Sequence, residues 1–324
     1  MPLDLLDRKL LYELDSNSRK PINQIAKKLR INRTVAAYRI DRLKKEGIIK
    51  GTYTQINNFS LKYYSFRMFI KLGNFTEDKE SSLINNLVKE KKLLWLARVL
   101  GKWDIDLIYM TKSIFEFDTF QKNLLLKYND IIEEYQTALL TKINDYPKDY
   151  LINKERTPLS LKKSIKESSF EPDGLHEKIL FYLSENASMN IIHLGQKVGA
   201  STNTVKKKMK ELIRNKIILA FRLFIDTNKL GYQYYKLHLT LRHYREKDLY
   251  ELTSFLESKN FMISTDHYLG GEHFEIELHI ATEKEYIDFI SELMKRYGKI
   301  IKDHYVIKFY KELTYRYLPV IDTA

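Results

Sequence analysis

The strongest constraint in this sequence is that it nearly repeats itself. A shift of 169 residues brings Leu6 onto Leu175, Leu11 onto Leu180, Leu14 onto Leu183 and Asn17 onto Asn186. The same shift brings Ile22 onto Ile191, Leu43 onto Leu212, Ile48-Ile49 onto Ile217-Ile218, Leu61 onto Leu230 and Tyr63 onto Tyr232. A register held without a gap over roughly 60 residues is better explained by a duplicated unit than by a shared helical pattern. The fold must therefore be one that 324 residues can build twice, with a core in each copy. The copies meet near residues 150–173, where two prolines, several serines and five positive charges read as a linker with about one helical turn.

Each copy has two parts. In the first, Leu5, Leu6, Leu10, Leu11 and Leu14 recur at helical spacing. Pro21 suits the first turn of a second helix, along which Ile22, Ile25, Ala26 and Leu29 form a stripe. A break at Ile31-Asn32 precedes a third helix, and Gly47 suits the residue after its end, where a left-handed backbone is needed. Three short helices with a tight turn before the third describe a helix-turn-helix. The second part alternates: strand 63–72, helix 76–92, strands 93–99 and 104–110, helix 113–128, strand 131–143. The second copy gives strands near 232–241, 261–269, 273–281 and 300–314, with helices near 246–259 and 282–297. The order βαββαβ is ferredoxin-like, with helices on one face of an antiparallel sheet. The bare face needs a cover, and a second copy of the same sheet supplies one. The expected fold is α+β: two winged-type helix-turn-helix domains (1–52 and 174–222) and two ferredoxin-like domains (53–149 and 223–324) in tandem, around the linker 150–173.

Chemistry concentrates on the third helix of each copy. In the first, Ala36, Ile40 and Leu43 share the core face. The other face carries Thr34, Ala37, Tyr38, Asp41 and Lys45, with Arg42 beside it and Arg33 and Arg39 flanking. In the second, Val205, Met209 and Leu212 take the core role, while Asn203, Lys206, Lys207, Lys210 and Arg214 face outward. Guanidinium and hydroxyl groups suit base edges and phosphate alike. Lysine is a point charge better suited to phosphate. The formal charge of +13 agrees with an anionic partner.

These residues carry a resemblance. Leu5, Asp7 and Leu10, the helix pair, and residues 33–53 from RTVAAYRIDRLKKEGIIKG to GTY resemble the DNA-binding domain of the Lrp/AsnC feast-famine regulators. The βαββαβ part resembles that family's effector and oligomerisation domain. Gly101-Lys102-Trp103-Asp104 resembles its glycine-x-aromatic-aspartate turn. The resemblance covers nearly all of residues 4–144 and, more loosely, 175–318, as in a tandem fusion of two members. It implies pairing through the sheets, in cis or as a homo-oligomer, binding to double-stranded pseudo-palindromic DNA, and an amino-acid effector. It places Arg33, Thr34, Tyr38, Arg39 and Arg42 at or beside DNA, together with Thr202, Asn203, Lys207 and Lys208. The outward Lys45, Lys206 and Lys210 join that set. Gly101 and Asp104 become candidates to line an effector pocket. The second half departs from the pattern. Gly270-Gly271-Glu272-His273-Phe274-Glu275 reads as a turn one residue longer, and Lys216 stands where the first copy has Gly47. No effector pocket is expected there.

Two other readings stay open. Siroheme decarboxylases share the two-part architecture, and all eight histidines lie in the second half, with His267, His273 and His279 around one hairpin. An architectural DNA-coating protein would suit the lysine-rich helix. The absence of cysteine excludes disulfides, zinc fingers and thiol catalysis. No Gly-rich phosphate loop, HExxH, GxSxG or kinase signature occurs. No catalytic residue, metal site or cofactor is read from the sequence. No apolar run approaches the ~20 residues that cross a bilayer, and MPLDLLDRKLL lacks the apolar core of a signal peptide. A cytoplasmic, non-enzymatic DNA-binding regulator is the expectation.

Overall fold

The computed structural model describes residues 3–73, 75–156, 161–164 and 170–319. The first half runs α1 (Leu5–Ser16), α2 (Ile22–Leu29), α3 (Arg33–Lys45), β1 (Ile49–Ile56), β2 (Tyr64–Leu72), α4 (Glu77–Lys89), β3 (Leu93–Leu100), β4 (Ile105–Thr111), α5 (Ile114–Lys127) and β5 (Ile132–Asp145). A short strand, β6 (Leu161–Ser164), follows. The second half runs α6 (Gly174–Glu185), α7 (Ile191–Val198), α8 (Thr202–Arg214), β7 (Ile218–Ile225), β8 (Gln233–Leu241), α9 (Glu246–Glu257), β9 (Met262–Leu269), β10 (Phe274–Ile280), α10 (Glu283–Tyr297) and β11 (Ile301–Tyr315).

The register of the repeat holds further than the sequence alone indicated. Ile49 and Ile218 open β1 and β7, and Ile105 and Phe274 open β4 and β10, both pairs standing 169 residues apart. The second turn is therefore not longer than the first. Residues 101–104 and 270–273 occupy the same interval between strands. The extra glycine suggested an insertion, but Gly271 and Glu272 stand where Lys102 and Trp103 stand in the first turn. Lys216 adopts the left-handed conformation of its counterpart Gly47, at φ 55 against 67. A lysine side chain there costs about 1–2 kcal/mol, which the chain tolerates.

Within each half the strands order as in a ferredoxin-like sheet, β5-β2-β4-β3 and β11-β8-β10-β9. The halves then join at both edges. β3 pairs antiparallel with β11, and β5 with β9. Eight strands thus close into one ring inside a single chain, and every edge finds a partner. Phe69, Trp95, Trp103, Ile307 and Phe309 pack between the two sheets. Helices α4 and α5 cover the outer face of the first sheet over Leu83, Leu87, Phe117 and Leu124.

A second pairing was not foreseen. β1 and β7 form their own two-stranded antiparallel sheet, Ile49 opposite Ile225 and Ile56 opposite Ile218. Each helical unit rests on the strand of the other half. Asp15 at the end of α1 accepts from the Leu223 N–H and pairs with Arg222, both on β7. Thr54 on β1 donates to the Leu183 carbonyl of α6 at 2.6 Å.

The segment read as a linker is partly built into this body. A 3-10 turn at Asp149–Ile152 buries Tyr150 and Leu151, and β6 pairs with β5. Residues 157–160 and 165–169 of it lie outside the described residues.

Candidate nucleic-acid interface

The third helix of each unit starts on a side-chain cap. Asn32 accepts from the Thr34 N–H, and Ser201 from the Thr204 N–H. Each cap satisfies one of the orphan donors of the first turn. The core stripes are as expected: Ala36, Ile40 and Leu43 are buried, as are Val205, Met209 and Leu212. The opposite faces are open to solvent.

On α3 the outer face presents Arg33, Thr34, Tyr38 and Lys45, all exposed, with Tyr38 68% accessible. A tyrosine exposed to that degree leaves most of its surface to solvent and is a ready contact for a base edge or sugar. Arg39 and Arg42 have a different employment. Arg39 pairs with Asp4 at 2.6 Å and Asp7 at 2.9 Å, and Arg42 with Asp7 at 2.5 Å. Their side chains are only 23% and 18% accessible. Asp4 and Asp7 form the capping box of α1, so the two arginines bolt α3 to the start of α1. Both arginines are thus engaged in ion pairs within the unit.

On α8, Asn203, Lys206, Lys207 and Lys210 are exposed, and Thr202 is half-buried. Lys208 repeats the part of Arg39: it pairs with Asp173, the N-cap of α6, at 2.5 Å. The Lys208 ammonium is the main cause that pulls the Asp173 carboxyl down to about 2, with the His176 backbone N–H adding to it. The second brace is inverted. Where the first half sets Asp7 against Arg42, the second sets His176 against Glu211 at 3.0 Å. The two halves place the acid of the same junction on opposite helices. Among the described residues, Arg33, Lys45, Lys206, Lys207 and Lys210 make no ion pair.

Sequence reasoning missed the bracing, although a signal existed. Asp4–Arg39 and Asp173–Lys208 both span 35 residues. An acid at the N-cap of the first helix, repeated at a fixed distance before a cation, marks a tether.

Gly101 and Asp104 are both engaged at the β3–β4 turn. Gly101 holds φ 130 with the Val306 carbonyl of β11 so close that a Cβ would lie 2.7 Å from it. Asp104 accepts from the Leu72 N–H at 2.8 Å and pairs with Lys71 at 3.1 Å. Both secure the end of the β3–β4 hairpin. A cleft of about 190 Å³ lies elsewhere, between the β1–β7 sheet and the ring. Tyr53, Gln55, Arg67, Tyr234, Glu277 and Tyr317 help to line it. The three histidines of the β9–β10 hairpin do not gather into one site. His279 is buried against the Tyr150 hydroxyl at 2.7 Å, and burial drives its imidazole well below its ordinary value. His273 is exposed and accepts from the Leu241 N–H. His267 lies edge-on to Phe274.

A family model of winged helix-turn-helix DNA-binding domains matches residues 3–50 and 172–218. The chain is 30% identical over 113 residues to the HTH-type transcriptional regulator Ptr1 of Methanocaldococcus jannaschii, covering 35% of this chain and 74% of that one. It is 35% identical over 111 residues to an uncharacterized HTH-type transcriptional regulator of Pyrococcus horikoshii. That match covers 33% of this chain and 65% of the relative, so the chain spans just under two thirds of that relative's length. Among solved structures, the siroheme decarboxylase NirDL superposes with a TM-score of 0.63 over 95% of this chain and 92% of that one, at 10% identity. At that identity the likeness is one of fold.

Proposed function

Because the chain belongs to the HTH-type transcriptional regulators and carries two helix-turn-helix units, we propose that it is a regulator of the Lrp/AsnC kind and that one chain binds double-stranded DNA as a complete, asymmetric reader. The observation that carries this reading is the double closure in cis. The β1–β7 sheet and the eight-stranded ring both join the halves covalently linked in one chain. Two recognition helices are thereby held at one separation, which is the requirement for engaging successive major-groove faces about 34–36 Å apart.

The two helices divide the work. α3 offers Arg33, Thr34 and Tyr38, a mixed set able to discriminate base edges. α8 offers Lys206, Lys207 and Lys210, with Asn203 and Thr202 at its start, and this set suits phosphate. The site on DNA is therefore two unlike half-sites, and the protein acts in the cytoplasm on chromosomal DNA. A small-molecule effector such as an amino acid belongs in the cleft beside Tyr53. Gln55, Tyr234 and Tyr317 line it as well, offering amide and hydroxyl groups, and its volume admits a ligand smaller than drug-sized molecules.

Selection of bound fragments from random duplex DNA tests the reading. An asymmetric motif with two half-sites one helical turn apart is expected, with affinity falling steeply as salt rises. Recovery of no enriched motif, or a salt response that is flat, would refute it.

A further inference from the structure

The ring's interior holds a cluster that DNA binding does not use. Two cations, Arg67 and Lys236, and four carboxylates, Asp106, Asp266, Glu272 and Glu275, are all buried there. Arg67 binds Asp106 as a fork through Nε and Nη2, and its Nη1 donates to the Tyr268 hydroxyl. Lys236 reaches Asp266 at 2.7 Å and Glu275 at 2.9 Å. The repeat explains the core of this arrangement, since Lys236 and Glu275 stand 169 residues after Arg67 and Asp106. The repeat also exposes what is new. At the positions of Phe69 and Trp103, which stack in the first half, the second half places His238 and Glu272.

Three ligand atoms converge at this replacement. His238 Nδ1 lies 3.8 Å from a Glu272 oxygen and 3.8 Å from a Glu275 oxygen, and all three groups lie within 4.8 Å of one another. Those separations are too long for hydrogen bonds. The two 3.8 Å separations are the right size for atoms sharing one ion at about 2.0–2.2 Å from each. His238 is fully buried, yet neither ring nitrogen has a hydrogen-bond partner. Leaving such a group unsatisfied costs about 1–3 kcal/mol. The surroundings fix the ligands in place. Tyr305 stacks on the imidazole with ring centroids 4.4 Å apart and donates to Glu272 at 2.9 Å. Gln136 donates to the other Glu272 oxygen at 3.0 Å. Lys236 and Arg67 hold the far oxygen of Glu275. This is the oriented outer layer that metal ligands require.

We propose that His238, Glu272 and Glu275 bind one divalent first-row transition ion, such as Zn²⁺ or Mn²⁺, inside the ring. One imidazole with two carboxylates suits such ions better than Mg²⁺ or Ca²⁺, which favour all-oxygen sets. The charge agrees, because four buried carboxylates against two buried cations leave an excess that one divalent ion removes. The ion would tie β8 and β10 to the turn between β9 and β10.

The test uses the full chain, stripped with chelator and titrated with Zn²⁺, and separately with Co²⁺ read by its visible absorption. One equivalent bound and a higher melting temperature are expected. His238→Phe installs the residue that the first half carries at Phe69, and it should weaken Zn²⁺ binding about a hundredfold or more and abolish the melting shift. Should that variant fail to fold by circular dichroism, Glu272→Gln is judged by the same criterion. Wild-type chain that takes up no equivalent of either ion overturns the proposal. So does a folded variant that binds as tightly as wild type.

Discussion

Asp15→Asn tests whether the helix-turn-helix unit is locked to the other half by charge. The Asp15 side chain is 3% accessible, and its two cationic partners, Lys148 and Arg222, are 10% accessible each, both 2.7 Å away. Burial opposes ionisation of this carboxyl, but Arg222 and Lys148 outweigh it and hold its pKa below the ordinary value. The asparagine keeps the shape and removes the charge. Two buried cations then face a neutral amide, and breaking a buried pair this way costs about 3–5 kcal/mol. Against the roughly 5–15 kcal/mol that hold a folded domain, that is about a fifth of the total or more. With a urea slope near 3 kcal/mol/M, the midpoint should fall by about 1 M. Asp118→Asn is the control, since its pair with Lys122 is largely exposed and worth under about 0.5 kcal/mol. The pH dependence carries the same signature. A carboxyl whose folded pKa lies below its unfolded value of about 3.9 contributes fully above that pH and is lost as pH falls through the folded value. The variant should therefore lose less stability than wild type on acidification. A midpoint shift below roughly 0.3 M, matching the control, would refute the account of the lock.

The inverted brace predicts a rescue: His176→Asp and Glu211→Arg should each destabilise the second unit, while the double variant rebuilds the first half's pair and recovers about 1 kcal/mol or more of coupling in a thermal-melt cycle. Gly101→Ala drives a Cβ to 2.7 Å from the Val306 carbonyl at φ 130, so a loss of about 2–4 kcal/mol by urea melt is expected. At Gly51 a Cβ meets nothing within 4 Å, and Gly51→Ala should change stability by less than about 0.5 kcal/mol. In filter binding, Lys207→Ala should reduce the salt slope by about 0.9 and weaken all sequences alike. Tyr38→Ala should instead narrow the gap between preferred and random DNA.

Much of this architecture is legible in the sequence because it follows from periodicity. The stripe Ala36, Ile40, Leu43 and its copy Val205, Met209, Leu212 mark buried helix faces, and both are buried. The strands of the two sheets fall within a residue or two of where alternation places them. What periodicity cannot convey is partnership over long range. Ile49–Ile56 and Ile218–Ile225 look like tails of the helical units, and nothing local announces that they pair with each other. Polarity misleads in the same way. Arg67, Lys236 and His238 interrupt apolar strands, yet they point into the ring, where acids on neighbouring strands supply the partners of Arg67 and Lys236. Nor does charge on a recognition helix carry a label for whether an acid waits on the helix beside it, as Asp4 and Asp7 do for Arg39 and Arg42.

The pairing of β1 with β7 has a bearing on abundance. A regulator assembled from two separate chains is subject to mass action, and dilution takes it apart. Here the second helix-turn-helix unit is always present at the first, at a local concentration set by the chain itself. Dilution to a few molecules per cell leaves that contact as it was. Occupancy of DNA by a lone chain would then rise with the first power of its copy number.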